Sequence, residues 1–152
     1  MAKFAEGTSV STEKSRAEIE TLLRKHGIKD ICVMTLRESA MVMFNKGATG
    51  YKFVMPPIDR EDYKLTAQGY ERSESDTERF VSQEERRRWR ALFLVLKAKL
   101  VAAADGVVTF EQEFLAFALT QDGRTVGEHV IPQLQSGAAL GLQQLALPGG
   151  NQ

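Results

Sequence analysis

The stretch QEERRRWRALFLVLKAKL (residues 83–100) carries the most regular pattern in the chain. Its apolar residues recur at the spacing that places them on one face of a helix. We predict an amphipathic helix from about residue 82 to residue 104, with Ser82 as its N-cap and Gly106 after its end. The residues that we expect to face a sheet are Trp89, Leu92, Phe93, Leu96, Leu100 and Ala103.

The predicted helix is also basic, because residues 84–99 include six basic and two acidic side chains, a local net charge of +4. The helix dipole disfavours positive charge near a helix N-terminus, so the arginines need a favourable environment. Three such environments are possible: a solvated face paired with nearby glutamates, a protein partner, or phosphate groups of a nucleic acid. The acidic segment 74–78, directly upstream, is a further source of pairing. The candidate nucleic-acid-binding residues are Arg86, Arg87, Arg90 and Lys97.

The residues before this helix predict a helix followed by a sheet. Ser15 and Glu18 have the spacing of a capping box, and Gly27 stands where a left-handed C-terminal cap is expected. Three runs rich in apolar and β-branched residues then predict an antiparallel meander, which Pro56 ends. We expect one sheet face to pack on helices and the other to be only partly covered. The three predicted strands are residues 30–37, 40–46 and 51–55.

The residues after the long helix predict two short helices. Thr109 with Gln112 forms one capping-box pattern, and Thr125 with Glu128 forms another. In the first of these helices, TFEQEFLAFAL (109–119), an aromatic stripe is typical of core packing. The stripe consists of Phe110, Phe114 and Phe117.

We therefore predict a single α+β domain over residues 15–135: an N-terminal helix, a three-stranded antiparallel β-meander, a long amphipathic helix and two short C-terminal helices. Residues 1–14 are expected to be a flexible N-terminus, and residues 136–152 a flexible C-terminal tail. The tail contains Leu140, Leu142, Leu145 and Leu147, which either dock on a surface or remain disordered. Residues 58–80 are polar and mixed in charge, which favours a long loop.

Composition excludes several functional classes. Lys+Arg and Asp+Glu both number 20, a balance that argues against a strongly cationic nucleic-acid coat protein. The single cysteine, Cys32, excludes an intrachain disulfide and is interpreted as a small buried apolar residue. No apolar run approaches the roughly 20 residues that span a bilayer, so we expect a soluble cytoplasmic protein that does not contact membranes.

Catalytic and metal-binding signatures are absent from the sequence. His26, Cys32 and His129 do not have the spacing of metal ligands, and no CxxC, HExxH, GxSxG or P-loop pattern occurs. We therefore predict no catalytic residue, no metal, no cofactor and no enzymatic activity.

Three blocks of the sequence resemble a family of small uncharacterised bacteriophage and prophage proteins: SRAEIETLLRKHGI (15–28), RRRWRALFLVLKAKLVAAADGVVTFEQEFLAF (86–117) and DGRTVGEHVIPQL (122–134). The resemblance covers roughly residues 15–134 and implies a mobile-element origin and action in the cytoplasm of a bacterial host. The family carries no known activity that the resemblance could transfer to this chain.

Two functional hypotheses follow. In the first, the protein is a non-enzymatic phage or prophage accessory protein that contacts nucleic acid through the basic start of the long helix. In the second, it is a small phage protein that binds and modulates a host or phage protein, for example as an anti-defence inhibitor, through the acidic loop or the sheet face. The sequence leaves the oligomeric state open.

Overall fold

The computed structural model describes residues 5–36 and 39–137. The helices and strands follow the predicted order, so the α+β class with a meander between two helices is confirmed. From residue 138 onward the predicted tail lies outside the described residues. The elements are α1 (Thr12–Lys25), β1 (Ile31–Leu36), β2 (Ser39–Lys46), β3 (Thr49–Met55), a 3-10 turn (Arg60–Tyr63), α2 (Glu74–Ala104), α3 (Phe110–Phe114), a second 3-10 turn (Leu115–Phe117) and α4 (Val126–Ser136).

The sheet is antiparallel in the order β1-β2-β3. Its register aligns rows of residues across the strands, and successive residues of a strand point to opposite faces. The row through Val42 and Phe53 therefore lies on one face, while the neighbouring row Met34–Met41–Val54 lies on the other. The first of these faces is the inner one, because Val42, Phe44, Tyr51 and Phe53 are all buried.

The hydrophobic core lies between this inner face and the helices. Trp89, Leu96 and Leu100 of α2 are buried, which agrees with their predicted orientation. Phe114 of α3 is fully buried and meets the rings of three sheet residues edge-on, each with a centroid separation of 6.0 Å. These are favourable aromatic geometries, and they confirm that the phenylalanine stripe is part of the core.

The long helix begins earlier than predicted, which is a correction. It starts at Glu74 rather than near residue 82, and Ser73, not Ser82, is the N-cap that accepts a hydrogen bond from the Asp76 amide. The acidic composition of residues 74–78 resembled a loop, yet carboxylates in the first turn of a helix are stabilised by its dipole. Thr77 is buried in this first turn, so the segment is part of the packed structure.

The predicted loop 58–80 is correspondingly shorter and more ordered than expected. It contains a 3-10 turn and an isolated bridge between Leu65 and Glu71. Arg72 donates hydrogen bonds to the carbonyl oxygens of Tyr63 and Leu65, at 2.8 and 2.5 Å. The charges that suggested a solvated loop therefore hold it in place.

Two helix boundaries near the ends of the chain also need correction. Helix α1 begins at Thr12 and is capped by Ser11, so the predicted flexible segment 1–14 overlaps the helix. Ser15, the predicted cap, is fully buried inside the first turns of α1. The segment predicted as one helix over 109–119 ends in a 3-10 turn, because its last residues pair with the edge of β3 instead. The two predicted threonine capping boxes, at Thr109 and Thr125, are confirmed.

Candidate functional site

The predicted basic residues of α2 form a candidate nucleic-acid-binding site. Arg87 forms a bidentate ion pair with Glu84. Its Nε and Nη2 atoms donate hydrogen bonds to the two carboxylate oxygens, both at 2.8 Å. The Glu84 side chain is only 7% exposed and that of Arg87 is 18% exposed. This hydrogen bonding to Glu84 raises the pKa of Arg87 above its usual value. Arg87 is therefore engaged inside the protein.

A second arginine completes this cluster. The Nε of Arg88 donates to Glu84 at 2.9 Å, and its Nη1 donates to the carbonyl oxygens of Pro56 and Pro57 at 2.8 and 3.2 Å. The Glu84 carboxylate thus lies between two guanidinium groups, which satisfies its charge at low exposure. Arg88 also ties the chain that leaves β3 to helix α2. We call Glu84, Arg87 and Arg88 the Glu84 cluster.

The remaining predicted nucleic-acid-binding residues do not gather into one patch. Arg90 forms an ion pair with Glu18 of α1 and lies 4.4 Å from the centre of the Phe93 ring. Arg86 donates to Gln83 at 2.6 Å on its own helix. Lys97 is exposed, and it forms no ion pair within residues 5–36 and 39–137. Arg86 and Lys97 are about 16 Å apart along the helix axis at 1.5 Å per residue. The geometry therefore assigns Arg87 and Arg90 to internal pairing.

The outer face of the sheet carries a different candidate site. Five of its side chains are apolar and lie outside the core cluster: Cys32, Met34, Met41, Met43 and Val54. We call this surface the methionine face, since it bears three of the five methionines of the chain. Val54 is 51% exposed, and the other four side chains are partly exposed. Cys32 is therefore not the buried residue that the sequence suggested.

The methionine face continues into a groove beside α4. Val54 lines this groove, of about 520 Å³, together with Ile131 and Pro132 of α4. Its position depends on a close approach between α4 and the 3-10 turn before it. A Cβ atom on Gly127 would lie 2.8 Å from the Ala116 carbonyl oxygen, so glycine allows the contact. Ile131 is 48% exposed, which leaves the wall of the groove open to a ligand.

Charged residues at the rim of the groove bind one another and the nearby turn. The Nζ of Lys52 donates to the Gly123 carbonyl oxygen at 2.8 Å and lies 3.9 Å from a carboxylate oxygen of Glu128. Arg124 donates to the Glu128 carbonyl oxygen at 2.8 Å. These rim charges are therefore paired within the protein. What the groove offers a ligand is mainly its apolar wall.

Folding also brings together a hydroxyl, an imidazole and a carboxylate that the sequence did not single out. The Nε2 atom of His129 is 3.1 Å from Thr120 Oγ1 and 3.2 Å from Asp122 Oδ2. A catalytic triad requires the imidazole to contact its two partners through different ring nitrogens. Here both partners meet the same nitrogen, so the arrangement does not relay a proton. It closes the Asp-Gly turn before α4.

Asp122 is held ionised in this turn. Hydrogen bonds from the Thr120 hydroxyl, at 2.5 Å, and from the Arg124 amide lower the pKa of Asp122 to about 2. A carboxylate of such low basicity is a poor general base near neutral pH. In the described part of the chain, no group of three or more histidine, cysteine, aspartate or glutamate residues is arranged to hold a metal ion.

The sequence contained part of the signal for the methionine face. In AMVMFNK (40–46) the buried residues Val42 and Phe44 alternate with Met41 and Met43. Because residues 40–44 are all apolar, this alternation does not tell the inner face from the outer one. The strand register and the helices packed on one side of the sheet decide which face is the inner one.

No family model, curated protein or solved structure matches this chain. The resemblance to phage proteins therefore stays a prediction. No helix in the described part of the chain combines the length and the apolar character needed to cross a membrane.

Proposed function

We propose that the protein binds another protein through the methionine face and acts without catalysing a reaction. One observation carries this proposal: a three-stranded sheet has one face in the core, and on its opposite face five apolar side chains lie outside the core cluster and are at least partly exposed. When one face of an antiparallel sheet is solvated, its outward positions are usually polar. An apolar surface of this kind is typical of a protein interaction site.

The chemistry of the face supports a protein partner. Methionine side chains are unbranched and polarisable, and they adapt to partners of different shape. The row Met34–Met41–Val54 extends across all three strands, and the groove lengthens it toward Ile131. Thioethers and aliphatic groups offer phosphate no hydrogen-bond donor, so the surface favours apolar side chains of a partner.

The nucleic-acid hypothesis receives less support from the geometry. To contact phosphate, Arg87 must leave a carboxylate that is 93% shielded from water, since the Glu84 side chain is 7% exposed. Arg90 must likewise leave Glu18. Breaking such charge-assisted pairs costs free energy that each phosphate contact then has to offset. Only Arg86 and Lys97 of the four candidates are without a carboxylate partner in the described residues.

The resemblance of residues 15–134 to phage proteins supports the setting of the proposal: a partner from the phage or its bacterial host, in the host cytoplasm. A defence nuclease is one such partner. The proposed role is then that of a modulator, which blocks or alters a surface of the protein that it binds.

A pull-down from lysate of a phage-infected bacterial host tests this proposal. The bait is the wild-type chain, the Val54→Glu variant or the Val101→Glu variant. The two substitutions are chemically identical and change exposed valines, 51% and 43% exposed, but only Val54 lies on the methionine face. We expect a stoichiometric partner with the wild type and with Val101→Glu, and at least a tenfold loss with Val54→Glu.

Circular dichroism of both variants verifies that they retain the fold. The proposal is refuted if a partner is retained equally by both variants, or if the wild-type protein recovers none.

A further inference from the structure

We propose that residues 138–152 dock on the methionine face of the same chain and compete there with a partner. The proposal names the occupant of the face when no partner is bound. Its regulatory consequence rests on the proposed function, whereas the docking itself is tested on the isolated protein.

The composition of the segment suits the methionine face. Residues 138–152 contain no charged side chain and four leucines: Leu140, Leu142, Leu145 and Leu147. The rest of the chain carries 20 basic and 20 acidic residues, so this uncharged stretch of fifteen residues stands apart. The transfer of a leucine side chain from water to an apolar surface lowers the free energy. Their chemistry matches the thioether and aliphatic groups of the methionine face.

The segment starts at the end of a helix that borders the methionine face. Helix α4 ends at Ser136, and Gly137 follows it with a φ of 68°, a left-handed conformation that turns the chain away from the helix axis. The same helix supplies Ile131 and Pro132 to the groove that joins the methionine face. Leu134, in the last turn of α4, is 45% exposed. The segment therefore follows directly on the helix that lines the groove.

The segment also has the necessary reach. Three strands spaced about 4.8 Å apart make the sheet about 10 Å wide, whereas fifteen extended residues span up to about 50 Å. The segment is long enough to cross the whole row Met34–Met41–Val54. Because it is tethered next to the face, its effective concentration there is in the millimolar range. Docking within one chain is thus favoured over docking between chains in dilute solution.

The rim of the groove also favours an uncharged segment. Lys52 and Arg124 direct their hydrogen bonds to backbone carbonyl oxygens of Gly123 and Glu128. A segment without charge can enter beside them and leave these bonds intact. A charged peptide would have to desolvate its own charge against the apolar wall. The surface therefore selects an uncharged, leucine-rich segment.

The single cysteine provides a probe for this docking. Cys32 lies on the methionine face, opposite Met43, and no other thiol is present to react. The rate of Cys32 alkylation by a neutral maleimide is compared in the full chain, in a chain that ends at Gly137, and in a full-length variant with Leu140, Leu142, Leu145 and Leu147 replaced by Gln. If the segment is docked nine-tenths of the time, both changes accelerate the reaction about tenfold.

Methionine methyl NMR gives a second measurement with an internal reference. The ε-methyl resonances of Met34, Met41 and Met43 should shift when the segment is removed. Met55 packs against the core on the inner side of the sheet, so its resonance should stay in place. A synthetic peptide of residues 138–152, added to the truncated chain, should reverse both effects, and the same peptide with its leucines changed to glutamine should not.

Equal alkylation rates and unchanged resonances of all three methionines in the full and truncated chains would overturn the proposal. Protection that grows with protein concentration would also overturn it, because the segment of a second copy would then cover the face. Partner binding is measured separately with the truncated chain, so docking and partner recognition can fail independently.

Discussion

Replacing Glu84 by alanine tests whether the arginines of α2 serve the fold. Glu84 accepts three hydrogen bonds from Arg87 and Arg88, at 2.8, 2.8 and 2.9 Å, and its side chain is 7% exposed. The Glu84→Ala variant leaves both guanidinium groups without this carboxylate. Removing one partner of a buried ion pair costs roughly 3–5 kcal/mol, because the remaining charge stays desolvated.

The structure reduces that magnitude. The side chains of Arg87 and Arg88 are 18% and 25% exposed, so water reaches part of each guanidinium after the substitution. Glu6 also lies within electrostatic range of Arg87. We therefore expect the free energy of unfolding to fall by about 2–4 kcal/mol.

The assay is urea denaturation at pH 7, followed by fluorescence of Trp89, the only tryptophan, which is 1% exposed in the folded protein. Glu85→Ala is the matched control, since Glu85 is the next residue of the same helix and is exposed. Changes at such surface positions are usually within about 0.5 kcal/mol. If Glu84→Ala is no more destabilising than Glu85→Ala, the Glu84 cluster does not stabilise the fold and Arg87 is available for phosphate.

Three further predictions concern Gly127, Asp122 and the basic residues of α2. Gly127→Ala should lower the free energy of unfolding by about 1–3 kcal/mol, because its Cβ would lie 2.8 Å from the Ala116 carbonyl oxygen; an unchanged thermal midpoint would contradict the close approach of α4. The carboxyl of Asp122 should titrate by NMR at about pH 2. Since the pKa of Asp122 is lowered in the folded protein, its stabilising effect is complete above about pH 4 and is lost as the pH falls toward 2. The Asp122→Asn variant should abolish this part of the pH dependence of stability. A titration midpoint near about pH 4 would refute the turn geometry. In a gel shift with double-stranded DNA at about 50 mM salt, we expect no retardation; a salt-sensitive complex that Arg86→Ala/Lys97→Ala abolishes would restore the nucleic-acid hypothesis.

The order of elements could be predicted from the sequence because local chemistry specifies it. The threonine capping boxes, the prolines after β3 and the apolar spacing around Trp89 each act within a few residues, and all of them agree with the structure. Local chemistry was misleading where two signals compete. The acidic residues that begin α2 suit both a solvated loop and a helix N-terminus, and the burial of Thr77 in the first turn of α2 shows that the helix forms.

The candidate site could be predicted only in part. That one sheet face is less covered was expected from the meander, but the identity of that face depends on which side the helices pack. The pairing of Arg90 with Glu18 joins residues far apart in the sequence, so charge counting along α2 did not reveal it. Glu18 was assigned to a capping box with Ser15, whereas the helix starts one turn earlier and leaves this carboxylate for Arg90.

If the methionine face is the binding surface, the affinity of a purified partner depends on the apolar side chains of this face. The dissociation constant is measured by calorimetry for the wild type, Val54→Glu and Val101→Glu, at about 50 and 500 mM salt. Interactions between exposed charges are largely screened at the higher concentration, whereas apolar contacts persist. We predict an affinity that changes little with salt, is retained by Val101→Glu and falls at least tenfold in Val54→Glu. An affinity that collapses with salt and is unchanged in Val54→Glu would instead place the binding site on the charged face of α2.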